Sequence, residues 1–289
     1  MNDSDRSMAL AFEPGGGSVE IEEIDLDPTG QIHFQGSAAA LYARLDAVLE
    51  RWSFAAGAED QAVPSTIQRE VLDRAGYFEA FAGVALRADR DPDKPDAFLP
   101  PAACYHVYAK LAGQRLSGPR SLALATTCGR EESRAVDDPG RLRRFRMREL
   151  VFLGGADWVA AARDDWMGRT VAFAGQLGLS GSIAEATDTF FGRPGRGRRL
   201  IQQIKKLKYE LRMDAGRAGA LAVASFNLHE SFFTNRFDIA MADGSPAASG
   251  CVAFGIERWT LACLAQLGED GPAALRGLIE RAGGLGDDL

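Results

Sequence analysis

Two neighbouring segments decide the fold: Ala125-Thr-Thr-Cys-Gly-Arg-Glu-Glu-Ser-Arg134 and Arg141-Leu-Arg-Arg-Phe-Arg-Met-Arg-Glu-Leu150. They overlap two short apolar stretches, residues 121–128 and 144–154, whose aromatic and β-branched residues predict strands. The loop between the strands, residues 129–143, is rich in arginine and glutamate. A long charged loop that joins two strands is typical of a ligand-binding loop.

The segments on either side of this pair predict an α+β fold. Further short apolar runs predict strands at residues 103–111, 219–227, 234–241 and 250–255, and a hairpin over residues 19–35. Apolar residues at helical spacing predict helices from Ser37, from Pro64 to about Gly76, and over residues 157–179, 258–267 and 273–282. Because strands outnumber β-α-β alternations, we expect a mainly antiparallel sheet flanked by helices. Residues 1–17 predict a flexible tail and residues 18–289 a single domain.

Composition and charge exclude several classes of function. The chain has 33 Lys and Arg against 40 Asp and Glu, a net charge of −7, which opposes sequence-independent binding to nucleic acid. The N-terminus lacks a secretory pattern, and no apolar run is long enough to cross a membrane, so a cytoplasmic enzyme is expected. The four cysteines are far apart in sequence and predict free thiols or metal ligands: Cys104, Cys128, Cys251 and Cys263.

Five ordered segments carry a family resemblance. The two quoted segments resemble motif 2 of the class II aminoacyl-tRNA synthetases, most closely the seryl branch, and Ser249-Gly-Cys-Val-Ala-Phe-Gly-Ile-Glu-Arg-Trp259 resembles motif 3. With Ala102-Ala-Cys-Tyr105 and Ser225-Phe-Asn-Leu-His229, the chain resembles the amino acid:carrier protein ligases, which are relatives of seryl-tRNA synthetase without the tRNA-binding arm. The resemblance implies a class II catalytic domain from about residue 18 to the end.

The resemblance also implies an ATP site. It assigns Arg130 to the α-phosphate, Glu132 to the adenine edge and Phe145 to stacking on adenine. Arg141 and Arg258 would hold the β- and γ-phosphates, because guanidinium groups neutralise phosphate oxygens in a bidentate fork. The strand period supports part of this assignment, since Phe145, Met147 and Glu149 share one face. The glycines of motif 3, Gly250 and Gly255, fit a close approach of the nucleotide to the backbone.

A zinc site and a magnesium site follow from the same resemblance. The family holds zinc by Cys, Glu and Cys, which match Cys104, Glu149 and Cys251. Three protein ligands leave one position open, and the α-amine of the amino acid would fill it. The glutamate that helps to hold Mg²⁺ in seryl-tRNA synthetases is replaced here by Leu221, and Glu210 is the alternative carboxylate. Asn227 belongs to the same expected nucleotide and metal region.

The implied reaction has two steps. ATP and a small amino acid, glycine or alanine, give an aminoacyl adenylate, and the acyl group passes to the phosphopantetheine thiol of a carrier protein. We expect a homodimer, and no charging of tRNA, because the chain has no long heptad run for a tRNA-binding coiled coil. Two alternatives remain open: delivery to tRNA or a small molecule, and a non-catalytic binding protein that is suggested by Leu221.

Two further features have both a structural and a functional interpretation. His229 either has a purely structural role or shapes the nucleotide or amino acid pocket. The run from Arg193 to Lys208 has seven cations and no acid, which is unusual in an acidic chain. It is either a solvated face or a docking surface for an acidic partner or a phosphopantetheine phosphate.

Overall fold

Small antiparallel pairs begin the fold in the computed structural model, which describes residues 11–12, 19–20, 24–27, 29–81, 83–88, 96–131, 140–187 and 205–282. Strand β1 (Ala11–Phe12) pairs with β2 (Val19–Glu20), and β3 (Ile24–Leu26) pairs with β4 (Ile32–Phe34) in the predicted hairpin. The β1 strand lies inside the predicted flexible tail, and residues 1–10 and 13–17 of that tail lie outside the described residues.

The remaining elements alternate between helices and strands. The helices are α1 (Gly36–Ala55), α2 (Arg69–Arg74), α3 (Tyr77–Ala80), α4 (Tyr105–Lys110), α5 (Ala156–Gln176), α6 (Phe232–Arg236), α7 (Ile256–Leu267) and α8 (Gly271–Ala282). The strands are β5 (Glu59–Gln61), β6 (Ile67–Gln68), β7 (Ala97–Phe98), β8 (Arg115–Leu116), β9 (Arg120–Gly129), β10 (Arg144–Gly154), β11 (Gly181–Glu185), β12 (Lys208–Asp214), β13 (Ala220–Glu230), β14 (Ala240–Met241) and β15 (Ala248–Gly255). None of the described helices combines the length and apolar character that a membrane crossing requires.

A seven-stranded sheet forms the centre of the fold, with the strand order β11-β12-β13-β15-β10-β9-β5. Every neighbouring pair is antiparallel except β5 with β9. The prediction of a mainly antiparallel sheet flanked by helices is therefore confirmed. The quoted segments form β9 and β10, which pair along their whole length from Arg144 opposite Gly129 to Leu153 opposite Arg120.

Helices α1, α5 and α7 pack on one face of this sheet. The apolar residues of α1 at helical spacing, Leu41, Leu45, Leu49 and Trp52, are buried. Trp52 contacts Trp166 and Phe173 of α5, with ring centroids 4.8 and 5.4 Å apart. We call this packing the helix-side core; its main members are Leu41, Leu45, Leu49, Trp52, Leu150, Phe152, Trp166, Phe173, Phe226, Phe254 and Trp259. Burial of large apolar side chains stabilises this layer by about 1.5–3 kcal/mol each. A second hydrophobic core, which includes Leu124, Val151, Leu153 and Tyr108, covers part of the opposite face, and the candidate site lies on that same face.

Three predicted elements differ from the structure. Residues 103–111, predicted as a strand, contain α4, because the carboxylate of Glu149 accepts the N–H groups of Ala103 and Cys104 and satisfies donors at the start of a helix. The predicted strand over 234–241 contains α6 and the two-residue β14. The helix expected from Pro64 begins only at Arg69, because residues 67–68 pair with β7.

Candidate active site

Side-chain alternation along β10 separates the site from the core. Phe145, Met147 and Glu149 point to the face without the large helices, as the sequence predicts. The intervening Arg146 and Arg148 turn to the other face, where both form ion pairs with Asp46 of α1 at 2.6 and 2.8 Å. One strand therefore carries the aromatic and acidic side chains of the candidate site and also anchors the helix layer behind it.

A cavity of about 110 Å³ lies on the site face of β10, β12, β13 and β15. Its lining brings together four of the residues that the sequence predicts for nucleotide binding: Arg130, Phe145, Glu210 and Arg258. Gly255 and Ser225 also line the cavity. These residues are up to 128 positions apart in sequence, from Arg130 to Arg258, and the sheet order places their strands side by side. The cavity thus combines an aromatic ring, a carboxylate and two guanidinium groups.

The two cavity arginines are held by backbone carbonyls. Arg130 Nε donates to Pro101 O at 2.8 Å, and its guanidinium lies 5.3 Å from the ring centroid of Phe145. Arg258 donates to the carbonyls of Gly140 and Ala222 at 3.0 and 3.1 Å. Both cations are thereby oriented toward the same space.

Two other predicted nucleotide ligands lie elsewhere. Arg141 is exposed and does not line the cavity, although its neighbours Gly140 and Leu142 do. Glu132 lies outside the described residues. Its neighbour Glu131 is described and forms an ion pair with Arg143 at 2.6 Å.

The structure places Leu221 away from the cavity and Glu210 in its lining. Leu221 is buried in the helix-side core, where it lies opposite Met213. Glu210 lies opposite Ser225 and lines the cavity, with the ammonium of Lys208 at 3.5 Å from its carboxylate. A carboxylate is therefore available in the cavity from β12 instead of β13.

A buried cluster of two thiols and a carboxylate adjoins the cavity. The Sγ atoms of Cys104 and Cys251 and a carboxylate oxygen of Glu149 lie within 4.8 Å of one another. Cys104 comes from the turn before α4, Glu149 from the middle of β10 and Cys251 from β15. Each of the three residues is at most 4% exposed. The sequence predicts this set, and the fold brings it together.

The electrostatics of the cluster fit a divalent cation. The hydrogen bond between the two thiols raises the pKa of Cys104 well above its usual range and lowers the pKa of Cys251 well below it. Burial raises the pKa of Glu149 to about 8, and the negative charge of Cys251 adds to this shift. Three acidic groups buried together are costly unless a cation compensates them, because burial penalises every unpaired charge. Two thiolates and one carboxylate are donors that suit zinc, and Mg²⁺ would not select them.

Two polar residues of β13 contact Cys251. Asn227 Nδ2 donates to Cys251 Sγ at 3.4 Å and to Ser225 Oγ at 3.2 Å, so Asn227 lies between the thiol cluster and the cavity. His229 Nε2 lies 3.7 Å from the same sulfur. The remaining cysteines, Cys128 and Cys263, are buried and are not members of the cluster.

Comparison with known proteins decides the family. No family model matches the sequence. The chain is 34% identical over 254 residues to amino acid–acyl-carrier-protein ligase 1 of Bradyrhizobium diazoefficiens, which covers 78% of this chain and 77% of that protein. The chain belongs to the amino acid–acyl-carrier-protein ligase family. Ligase 2 of the same organism is 35% identical over 247 residues, or 75% of this chain and 73% of that protein.

Synthetases share the fold of this ligase-family chain. The type-2 serine–tRNA ligase of Methanocaldococcus jannaschii is 28% identical over 184 residues, which is 60% of this chain and 35% of that protein. The M. kandleri SerRS crystallised with A. aeolicus tRNASec has a TM-score of 0.75 at 22% identity, over 90% of this chain and 59% of the synthetase chain. The seryl-tRNA synthetase of Pyrococcus horikoshii complexed with ATP has a TM-score of 0.66 at 16% identity, over 88% of this chain and 60% of that one. The predicted class II fold is confirmed.

The ligase-family chain also contains a cavity residue that the sequence did not single out. Glu257 precedes Arg258 in motif 3, and both its carboxylate oxygens accept the backbone N–H of Arg146, at 2.8 and 3.0 Å. Burial raises the pKa of Glu257 to about 7. Its sequence signals were its place in motif 3 and the occurrence of an acid on an apolar helix. Glu257 ties the helix of Arg258 to the strand of Phe145, and so links motif 3 to motif 2.

The two glycines of motif 3 have different roles in this chain. A Cβ at Gly250 would lie 2.7 Å from the carbonyl oxygen of Asn227 and 3.0 Å from Val159. Packing between β13, β15 and α5 therefore requires this glycine, and the expectation of a nucleotide approach at Gly250 is wrong. A Cβ at Gly255 would meet nothing closer than 3.8 Å, and Gly255 does line the cavity.

This difference gives a stability prediction with an internal control. Gly250→Ala is expected to lower the free energy of unfolding by about 1–3 kcal/mol, because backbone and Val159 must shift to admit the methyl group. Gly255→Ala has room for its methyl group and is expected to change stability by less than about 0.5 kcal/mol. Chemical denaturation of both variants measures the two values, and equal values would contradict the packing described for Gly250.

Proposed function

We propose that the protein uses ATP to activate a small amino acid, glycine or alanine, and transfers the aminoacyl group to the phosphopantetheine thiol of a carrier protein. The observation that carries the proposal is the adjacency of two sites on one sheet face: the Cys104, Glu149 and Cys251 cluster and the cavity with Phe145. Asn227 contacts the cluster and Ser225 lines the cavity, and these two residues are hydrogen-bonded. Family membership and the names of the two Bradyrhizobium ligases support the same reaction.

The thiol cluster is the proposed amino acid site. Cys104, Glu149 and Cys251 would hold zinc, which supplies an open position for the α-amine and so orients the substrate carboxylate. The protein itself fixes these donors. Glu149 is held by the N–H groups of Ala103 and Cys104, at 2.7 and 3.1 Å, so its carboxylate does not have to be ordered when substrate binds. Discrimination between glycine and alanine concerns one methyl group, worth about 1 kcal/mol.

The cavity is the proposed ATP site. Phe145 provides an aromatic face for adenine, and Arg130 and Arg258 provide cations for the phosphates, with Arg141 and Glu132 as further proposed ligands from the loop. Glu210 is the proposed carboxylate for Mg²⁺. The contact of Arg130 with the Phe145 ring, at 5.3 Å, is a cation–π contact that nucleotide binding would replace by phosphate and adenine contacts.

Two bond exchanges complete the proposed reaction. A carboxylate oxygen of the amino acid attacks the α-phosphorus of ATP, and the bond to the β-phosphate oxygen breaks to release pyrophosphate. The thiol of the phosphopantetheine arm then loses its proton and attacks the acyl carbon, and AMP leaves. The arginines neutralise charge in the first step, and no cysteine of this chain is needed as a nucleophile in the second.

The acceptor distinguishes the proposal from its first alternative. The protein should transfer labelled glycine or alanine to a phosphopantetheinylated carrier protein and leave tRNA unlabelled, because the net charge of −7 opposes tRNA binding. The carrier without its phosphopantetheine arm is the matched control. Label on tRNA or on a small molecule would support the alternative acceptor, and the absence of any activation would support the non-catalytic alternative.

The proposed docking surface is the basic run from Arg193 to Lys208. Residues 193–204 lie outside the described residues, and the three lysines in the described end are all near acids. Lys205 lies 2.9 Å from Glu230, Lys206 lies 3.3 Å from Glu185, and Lys208 faces Glu210 as described above. The arginines of the run, Arg193, Arg196, Arg198 and Arg199, are therefore the residues chosen for the test of this surface.

Reversal of charge tests this surface. Changing Arg196, Arg198 and Arg199 to Glu is expected to weaken transfer to the carrier while adenylate formation continues, because the two steps use different surfaces. Added salt should have the same effect on the unmodified protein, since exposed charges are screened within about 8–10 Å at ordinary ionic strength. Both half-reactions are measured on the triple variant.

A second triple variant provides the control for charge. Arg51, Arg69 and Arg115 are exposed arginines on other elements, and their change to Glu alters net charge by the same amount. Transfer should survive this change. If the first triple variant transfers normally, the run is only a solvated face, and if its adenylation falls equally, those arginines belong to the active site.

A homodimer is the proposed assembly. In the described part of the chain, β5 is an edge strand that pairs with β9 on one side only. A second cavity of about 250 Å³ lies beside it, lined by Val63, Pro64 and Leu111 among others. His106 also lines this cavity and, among the described residues, its Nε2 is buried without a hydrogen-bond partner. A second copy of the chain would cover this edge.

The cytoplasm is the proposed compartment, in agreement with four free cysteines.

A further inference from the structure

A row of polar side chains leads from α4 to the sulfur of Cys251. The hydroxyl of Tyr108 is hydrogen-bonded to Nδ1 of His229 at 2.8 Å and to Oγ of Ser249 at 3.2 Å. The other ring nitrogen of His229, Nε2, lies 3.7 Å from Sγ of Cys251. Asn227, two residues before His229 on β13, donates to the same sulfur at 3.4 Å.

These contacts are rigidly packed. Tyr108 and Ser249 are fully buried, and the ring of Tyr108 stacks on Phe233 at a centroid distance of 4.7 Å. His229 packs edge-on against Phe233 at 5.0 Å. The histidine ring is thus fixed by packing on one face and by a hydrogen bond at Nδ1. This leaves Nε2 directed at the sulfur.

We propose that Tyr108 and His229 form a positioning pair that, together with Asn227, holds the thiolate of Cys251 in place for a metal ion. The inference rests on the proposed zinc site. Asn227 offers an N–H donor to a sulfur that also faces Cys104 and Glu149. His229 offers a second N–H donor in the tautomer in which Tyr108 donates its proton to Nδ1 and accepts one from Ser249, because the ring hydrogen is then on Nε2. Such outer partners fix the direction of a ligand without competing for the ion, and their loss typically weakens metal binding. Neither Tyr108 nor His229 need touch the substrate for this role.

Four variants test the proposal by metal affinity. Tyr108→Phe removes only the hydroxyl, His229→Ala removes the donor, and His229→Gln restores an amide donor near the position of Nε2. Competition with a zinc chelator should give affinities about 10- to 100-fold weaker for Tyr108→Phe and His229→Ala, and a smaller loss for His229→Gln. Tyr77→Phe is the matched control, since Tyr77 is another buried tyrosine that packs on Tyr105, outside the row of contacts. It should bind zinc as the unmodified protein does.

A second readout separates positioning from folding. In the cobalt-substituted protein, the thiolate-to-cobalt charge-transfer band should shift in Tyr108→Phe and His229→Ala, whereas a merely structural role would leave it in place. Thermal melting of the metal-free variants tests whether they fold. Zinc affinity within threefold of the unmodified protein, with an unshifted band, would overturn the inference alone. An unmodified protein that binds neither zinc nor cobalt would overturn the proposed metal site and this inference together.

Discussion

Cys251→Ser is expected to reduce the zinc content of the purified protein from about one ion per chain to nearly none. The same variant should lose amino acid activation while it still binds ATP, because Cys251 lies in the thiol cluster and not in the lining of the nucleotide cavity. Serine keeps the size of the side chain but replaces a soft thiolate by a neutral hydroxyl, which is a poor zinc ligand. Elemental analysis, pyrophosphate exchange and ATP binding are the three measurements.

Cys263→Ser provides the matched control for this substitution. Cys263 is also buried, but it lies in α7 within the helix-side core, where a hydroxyl can bond the carbonyl four residues earlier in the helix. This variant should keep both zinc and activation. Zinc fully retained in Cys251→Ser would contradict the assignment of the cluster as a metal site.

Arg130→Ala and Arg258→Ala are each expected to reduce adenylate formation by on the order of 10² or more. Each variant removes a guanidinium from the cavity, where it would neutralise charge that develops on the triphosphate. Stability should change little by comparison, since the contacts of each side chain include hydrogen bonds to backbone carbonyls, and such a bond is worth about 0.5–1.5 kcal/mol. Single-turnover kinetics and chemical denaturation measure the two effects separately.

Arg169→Ala is the control for the loss of an arginine, because Arg169 forms an ion pair with Asp165 on an exposed turn of α5. It should leave both kinetics and stability nearly unchanged. A loss below tenfold in both Arg130→Ala and Arg258→Ala would mean that the proposed nucleotide site is wrong.

The strands of the site could be predicted from the sequence because their side-chain pattern has a period of two. The structure has β10 over the predicted residues 144–154, and Phe145, Met147 and Glu149 share the predicted face. If the predicted pairing of this strand were wrong by one residue, its arginines would face the site and Glu149 would face the helix-side core. The sequence pattern therefore determined which side chains face ligand.

Short apolar runs were the weakest part of the prediction. Tyr105, His106, Val107 and Tyr108 have the aromatic and β-branched character of a strand, yet they form α4. A run of this length fits a strand or a buried helix equally well by pattern alone. The tertiary contact of Glu149 with the N–H groups of Ala103 and Cys104 decides the outcome, and no local pattern contains that contact.

The metal cluster and its neighbours depend on long-range contacts. Cys104 and Cys251 are 147 residues apart, so only the family resemblance could pair them before the fold was known. Tyr108 and Glu257 were not expected in the site, because their partners, His229 and the backbone of Arg146, come from other elements. Glu132 and the arginines of the basic run lie outside the described residues, and their roles stay predictions.

The central claim is that this chain activates a small amino acid with ATP, and amino-acid-dependent exchange of labelled pyrophosphate into ATP tests it most directly. Exchange should occur with zinc-loaded protein and glycine or alanine, and it should require Mg²⁺. It should be absent in the Cys251→Ser variant and in reactions without amino acid. Protein that holds zinc and binds ATP but gives no exchange with any small amino acid would contradict the claim.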